Sequence, residues 1–255
     1  MAGEIGSGAP SRRYVPRGHP ISWWMLVVTT GAILITSVDR VILPRVLPAL
    51  QDEFGLSNTA AGFLNSLNFI GITIGAIALG VFGDVLGKGP RRAWTWAVAV
   101  VVTILSSVAT AISQTVGQLQ ALRVAMGIGT GGMEPVNVAM IGEWWQKENR
   151  GFAVGTHHTG FPLGQFFGPL IIGGVLYVAT WREAFLFIPL VAVPIVIIQI
   201  VLARRGNLER VNRWIREQGM TPSVEAGEIG ERDRENPFRA VRIAISNPTS
   251  CWQSR

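Results

Sequence analysis

"GVFGDVLGKGPRR", Gly80 to Arg92, decides how the rest of the chain is read. One acid, Asp84, is followed by three cations, Lys88, Arg91 and Arg92, among glycines and a proline. Upstream lies "GFLNSLNFIGITIGAIALG" (Gly62–Gly80), and downstream "AWTWAVAVVVTILSSVATAIS" (Ala93–Ser113); neither holds a charge. Apolar runs of about 20 residues are long enough to cross a bilayer. The stretch therefore reads as a short basic loop joining two membrane spans.

Working outward, the same alternation covers most of the chain. Of 255 residues, 49% are hydrophobic and 15% charged, and mean hydropathy is +0.36. A soluble domain carries about 25% charge. Six spans are expected at roughly Ile21–Leu50, Ser57–Gly83, Arg92–Ser113, Gln118–Gly142, Gly151–Thr180 and Glu183–Ala203. Seven of the nine tryptophans (Trp23, Trp24, Trp94, Trp96, Trp144, Trp145 and Trp181) fall near span ends, where indole favours the membrane interface.

Cations gather in alternate loops: Arg12, Arg13 and Arg17; Lys88, Arg91 and Arg92; Lys147 and Arg150; and the run from Arg204 to Arg216. Positive-inside reasoning puts both termini in the cytoplasm and the chain, as a multi-pass protein, in the inner (plasma) membrane. The net charge of +6 is thus a loop feature and not a nucleic-acid footprint. The single Cys251 gives neither an internal disulfide nor a metal cluster, and no cofactor is expected.

Gly62, Gly71 and Gly75 recur as Gly151, Gly160 and Gly164 at the same spacings, hinting at two three-helix repeats. Three regions follow: a tail (1–20), a membrane domain (21–203), and a cytoplasmic segment (204–255) that ends before a seventh helix. In the last, Leu208, Val211, Trp214 and Ile215 form one face of an amphipathic helix expected on the inner membrane surface. The two prolines of "ITSVDRVILPRVLP" (Ile35–Pro48) are expected to bend or break the outer end of the first span.

The opening loop, as Gly80-x-x-x-Asp84-x-x-Gly87-Lys88 followed by Arg91-Arg92, resembles the signature loop of the major facilitator superfamily. It departs at Val85, where the family has a basic residue, and at Gly89-Pro90. "RVAMGIG" (Arg123–Gly129), "EWWQKENRGFAVG" (Glu143–Gly155) and "WREAF" (Trp181–Phe185) are similar to further family motifs, so the resemblance covers about Ile21 to Ala203. It implies an all-α membrane protein whose six transmembrane helices, as two three-helix repeats, make half of a major facilitator fold. Gly80, Asp84, Gly87, Lys88, Arg91 and Arg92 would then form a conformational gating loop. Asp39-Arg40, with "LP" and "DEFGLS", is similar to the anion:cation symporter branch, whose first helix carries an Asp-Arg pair and whose fourth carries an Arg. These map to Asp39, Arg40 and Arg123. The branch's helix-four Glu, seven residues on, is Thr130 here, and the acid stands at Glu134.

Ionisable residues inside a membrane span are functional-site candidates by default. If the first and fourth spans line one cavity, Asp39, Arg40, Arg123 and Glu134 converge there. Arg40 and Arg123 suit a carboxylate or phosphate, which a guanidinium fork matches. Asp39 and Glu134 can exchange protons. The alternative is that Asp39–Arg40 and Arg123–Glu134 are neutral packing pairs, with Arg123 snorkelling outward. His157, or its neighbour His158, can relay protons. Asn65, Asn68 and Gln165 can line the cavity as substrate-binding partners or glue helices together.

The leading expectation is a secondary transporter that moves a small organic anion with protons by alternating access, and not an enzyme. A homodimer partner or a separate C-terminal half would supply the other six helices. A non-transporting half is the second expectation. An intramembrane hydrolase ranks last, since Gly-x-Ser-x-Gly and His-Glu-x-x-His are both absent.

Overall fold

The computed structural model describes residues 16–224, and these form helices and connecting turns. Four long helices come first: α1 (Pro20–Phe54), α2 (Asn58–Leu86), α3 (Pro90–Ala111) and α4 (Val116–Trp144). A fifth rod is α5 (Arg150–His158) continued by α6 (Gly160–Val178), and a sixth is α7 (Trp181–Leu190) continued by α8 (Ala192–Leu202). A last helix, α9 (Arg205–Glu217), follows. Five of the six rods are long and apolar enough to cross a membrane by length and composition. The sixth, α4, is about 43 Å long at 1.5 Å per residue but is diluted by glycines and by Arg123 and Glu134. Arg12, Arg13, Cys251 and the part of the 204–255 segment beyond residue 224 lie outside the described residues.

Side-chain caps set the starts of four rods, beginning with His19 Nδ1, which accepts the Ile21 N–H at 3.2 Å before α1. Ser57 Oγ accepts the Ala60 N–H at 3.2 Å. Thr115 with Gln118, and Thr180 with Glu183, form capping boxes. The two discontinuities, at Thr159 and Val191, keep near-helical dihedrals of about φ −60° and ψ −22°. Each stands three residues before a proline, Pro162 or Pro194. Proline brings no N–H and its ring displaces the carbonyl four residues back. The chain answers by tightening: Thr159 N–H bonds Thr156 O, and Val191 N–H bonds Ile188 O. Pro44 and Pro48, by contrast, lie inside an unbroken α1, so of the expected bend or break there the break is excluded. Their rings are exposed while Ile42, Leu43, Val46 and Leu50 anchor that part of α1 in the core.

The repeats are interleaved. Helix α1 lies along α6, and α2 along α4. Both crossings are made by glycines at equivalent places. A Cβ on Gly71 would stand 2.3 Å from Val124 O, and on Gly75, 2.0 Å from Ile128 O. On Gly160 it would stand 2.6 Å from Thr30 O, and on Gly164, 2.4 Å from Leu34 O. The pair Thr30 and Leu34 thus matches the pair Val124 and Ile128. Extending that register equates Thr36 with Thr130. Each of these threonines donates to the carbonyls three and four residues back. It also equates Arg40 with Glu134. The fold is the all-α membrane architecture of two three-helix repeats.

Two apolar clusters fill the bundle, one around Trp96, Met140, Trp144 and Trp145, the other around Ile42, Leu50, Leu119 and Phe185. Between their ends runs a buried polar layer that includes Thr36, Asp39, Thr103, Ser107, Thr110 and Arg123. Trp96, Trp144 and Trp145 are fully buried, so they are core residues and not interfacial anchors, whereas Trp24 and Trp94 are exposed. The apolar face of α9 is likewise spent on protein. Leu208, Val211 and Ile215 join the first cluster, and His19 meets Trp214 edge-on at 5.7 Å. That face is packed onto the end of the bundle.

Candidate functional site

Asp39 and Arg40 are adjacent on α1, so their side chains leave the helix about 100° apart. That angle sends them to different places. Asp39 turns inward and is buried, with Oδ1 accepting from Ser107 Oγ of α3 at 2.9 Å. Arg123 of α4 is buried in the same layer, donates to Thr110 Oγ1 at 3.1 Å, and stacks over the Phe185 ring at 4.7 Å. The two charges act on each other electrostatically without forming a direct ion pair. Asn68 of α2 donates to the Arg123 backbone oxygen at 3.2 Å, fastening α2 to α4.

Arg40 turns the other way. It is half-buried, and its guanidinium lies 5.5 Å from the Phe161 ring of α6, within electrostatic reach of Glu134 on α4. Glu134 Oε1 meets His158 Nε2 of α5 at 3.3 Å. Glu134 and His158 are both partly open to the surroundings. Arg40, Glu134 and His158 thus meet from three helices on an uncovered face of the bundle. Arg123 and Glu134 share a helix face but stand eleven residues apart, about 16 Å along the axis, so the four charges form two groups and not one. The larger electrostatic influences run crosswise, Asp39 with Arg123 and Arg40 with Glu134, each beyond ion-pair distance, while Asp39 and Arg40 also act on each other.

Of the two histidines, His157 is buried and its Nε2 lies 3.4 Å from Asn137 Nδ2, while His158 faces Glu134. Asn65 is half-buried and Gln165 exposed.

The opening loop forms a third group. Gly87 (φ 100°) and Gly89 (φ 71°) take left-handed dihedrals that side chains resist. They return the chain so that Arg92 pairs with Asp84 at 3.1 Å and with Glu143, at the end of α4, at 3.1 Å. Glu143 Oε2 also accepts the Gly89 N–H at 2.8 Å. Arg91 donates to Leu86 O at 3.5 Å. Gly80, Gly83, Asp84 and Arg92 line a cavity of about 110 Å³. Glu143 is missing from the residues singled out by sequence. Its position opening "EWWQKENRGF" marks it as an acid at a helix end, but not as the partner of Arg92.

The chain is 28% identical over 175 residues to the benzoate transport protein of Acinetobacter baylyi, covering 68% of this chain and 38% of that one. It is 27% identical over 176 residues to the gallate transporter of Pseudomonas putida, with the same coverages. The chain thus spans well under half the length of these relatives, which are transport proteins and not enzymes. Among solved structures, it resembles an inward-facing, unoccupied bacterial homologue of the human lysosomal transporter Spinster, with a TM-score of 0.64 at 16% identity, covering 91% of this chain and 51% of that one. Residues 29–251 match the Major Facilitator Superfamily, and the chain belongs to that family as a multi-pass membrane protein.

Proposed function

We propose that this chain supplies six helices of a secondary transporter that moves a small organic anion together with protons by alternating access. The observation that carries this reading is that Arg40, Glu134 and His158 come from three helices to one uncovered face of the bundle, in addition to the buried charges Asp39 and Arg123. Placing three ionisable groups in membrane spans costs several kcal/mol and is sustained where they serve a path. The names of the relatives, carriers of benzoate and gallate, favour a small aromatic carboxylate.

In this reading Arg40 grips the carboxylate, with Asn65 and Gln165 as neutral partners. Arg123 sets the field of the pocket from below, balanced by Asp39. Asp39, Glu134 and His157, or its neighbour His158, are the groups from which proton coupling is drawn. The loop from Gly80 to Arg92 gates one end by making and breaking the Asp84–Arg92–Glu143 bridge. That end, with both termini, faces the cytoplasm of the inner membrane. A further six-helix unit, either a separate C-terminal half or a second copy of this chain, closes the pocket.

Uptake of radiolabelled benzoate, gallate and a set of sugar acids into proteoliposomes under an inward proton gradient tests the reading. The protein is reconstituted alone and with a complementing six-helix half. Accumulation of one acid class, abolished by a protonophore, is expected. No uptake in either preparation would make the chain a non-transporting unit.

A further inference from the structure

His158 is held by two contacts of opposite demand. Its Nδ1 lies 2.9 Å from the Val154 carbonyl oxygen, one turn back on α5. A carbonyl only accepts, so Nδ1 must carry a hydrogen. The other nitrogen, Nε2, faces Glu134 Oε1 at 3.3 Å. With Nδ1 already protonated, two states suit that contact. Either Nε2 also carries a proton and donates to a carboxylate, or Nε2 is bare and a protonated Glu134 donates to it. In both, one proton lies between Nε2 and Oε1. Without it, two lone pairs would face each other and the contact would open.

The break after α5 sets up this geometry. Pro162 has no N–H to offer the His158 carbonyl, so the helix ends at that residue and its ring stands at a step between α5 and α6. The charged and titratable groups around the pair are His157 on α5, whose ring meets that of His158 edge-on at 5.4 Å, and Arg40 on α1, which acts on Glu134.

We propose that His158 and Glu134 together are the carrier of the coupling proton, an inference that rests on the transporter reading above. Loading forms one N–H or O–H bond within the pair from hydronium at the open face. Release breaks that bond and returns the proton to water. The arrangement described here is the loaded one. When the proton leaves, Glu134 is freed as a carboxylate beside Arg40, where it competes with the anion.

Two measurements decide this. The first is a long-range ¹H–¹⁵N spectrum of the ¹⁵N-histidine-labelled chain in micelles, its three histidines assigned by single His→Gln variants. The contact with the Val154 carbonyl predicts a hydrogen on Nδ1 of His158, and the Nε2 resonance is expected to move in Glu134→Gln. A bare Nδ1, or an Nε2 indifferent to Glu134→Gln, overturns the proposal. The second compares gradient-driven accumulation with exchange of labelled for unlabelled carboxylate in proteoliposomes holding the complementing half. His158→Gln and Glu134→Gln are expected to cut gradient-driven accumulation at least about tenfold more than they cut exchange, since accumulation alone requires the proton. Undiminished accumulation, or loss of exchange along with accumulation in both variants, overturns the coupling role. If the wild type neither accumulates nor exchanges any acid, the transporter reading falls and the coupling role with it, while the spectra still decide whether the pair shares a proton.

Discussion

Glycine at 75 and 164 is dictated by a neighbouring backbone, which cannot step aside as a side chain can. Gly75→Ala and Gly164→Ala would drive a methyl into Ile128 O and Leu34 O respectively. Each is expected to cost about 2 kcal/mol or more, since overpacking against a rigid wall forces the helices apart. Gly62→Ala and Gly151→Ala have no heavy atom within 4 Å and should change stability by less than about 0.5 kcal/mol. Unfolding in mixed detergent micelles distinguishes the two sets. At Asp39, the expectation is non-additivity. Arg123→Ala leaves a buried carboxylate with Ser107 as its hydrogen-bond partner, a loss of about 3–5 kcal/mol. The double variant with Asp39→Asn should lose less than the sum of the singles, and additive losses would show that the two charges are not coupled. The glycine spacing was legible in sequence, because close approach leaves a periodic trace. The parting of Asp39 from Arg40 was not. It depends on how α1 is rotated about its axis, and a helix apolar nearly all round gives no sign of that rotation.

At the scale of elements, α9 shows what amphipathic patterning can and cannot say. The pattern of Leu208, Val211 and Ile215 gives a helix with one apolar face, but a membrane and a protein surface satisfy that face equally well. Here it is protein: the face joins Trp144 and Trp145, and the chain beyond is fastened by Ser223 Oγ to Trp145 O at 2.6 Å and by Asn212 Nδ2 to Val224 O at 2.9 Å. Ile215→Asp should therefore release α9 from the bundle and not from lipid. Amide exchange across Arg205–Glu217 is expected to rise about 100-fold, in micelles as in bilayers. The helix breaks were half legible. Proline signals a break wherever it occurs, and α1 carries two that do not break it. Those at Pro162 and Pro194 do, and which prolines act is settled by how the surrounding rod is held.

Across the whole molecule, six spans and a repeat could be read from charge spacing and glycines, but the interleaving could not. The first helix lies along α6 of the second repeat, and α2 lies along α4. At the opposite end from α9, Glu53 of the first repeat accepts from the Trp181 indole at 2.8 Å and pairs with Arg182. Arg182 also caps the end of α3 through Ala111 O at 2.9 Å and Ser113 O at 2.8 Å. Because of this exchange, neither three-helix repeat is a unit of assembly. Helix α1 is completed by α6, which is made more than a hundred residues later, so α1 must wait for its mate while the intervening helices are inserted. A chain divided in the turn at Gln114 should give two fragments that are each degraded or aggregated when expressed alone. Expressed together, they should copurify one to one, held by the two glycine crossings in place of the missing peptide bond. Recovery of either fragment as a stable monomer would show that the crossings are not what holds the bundle together.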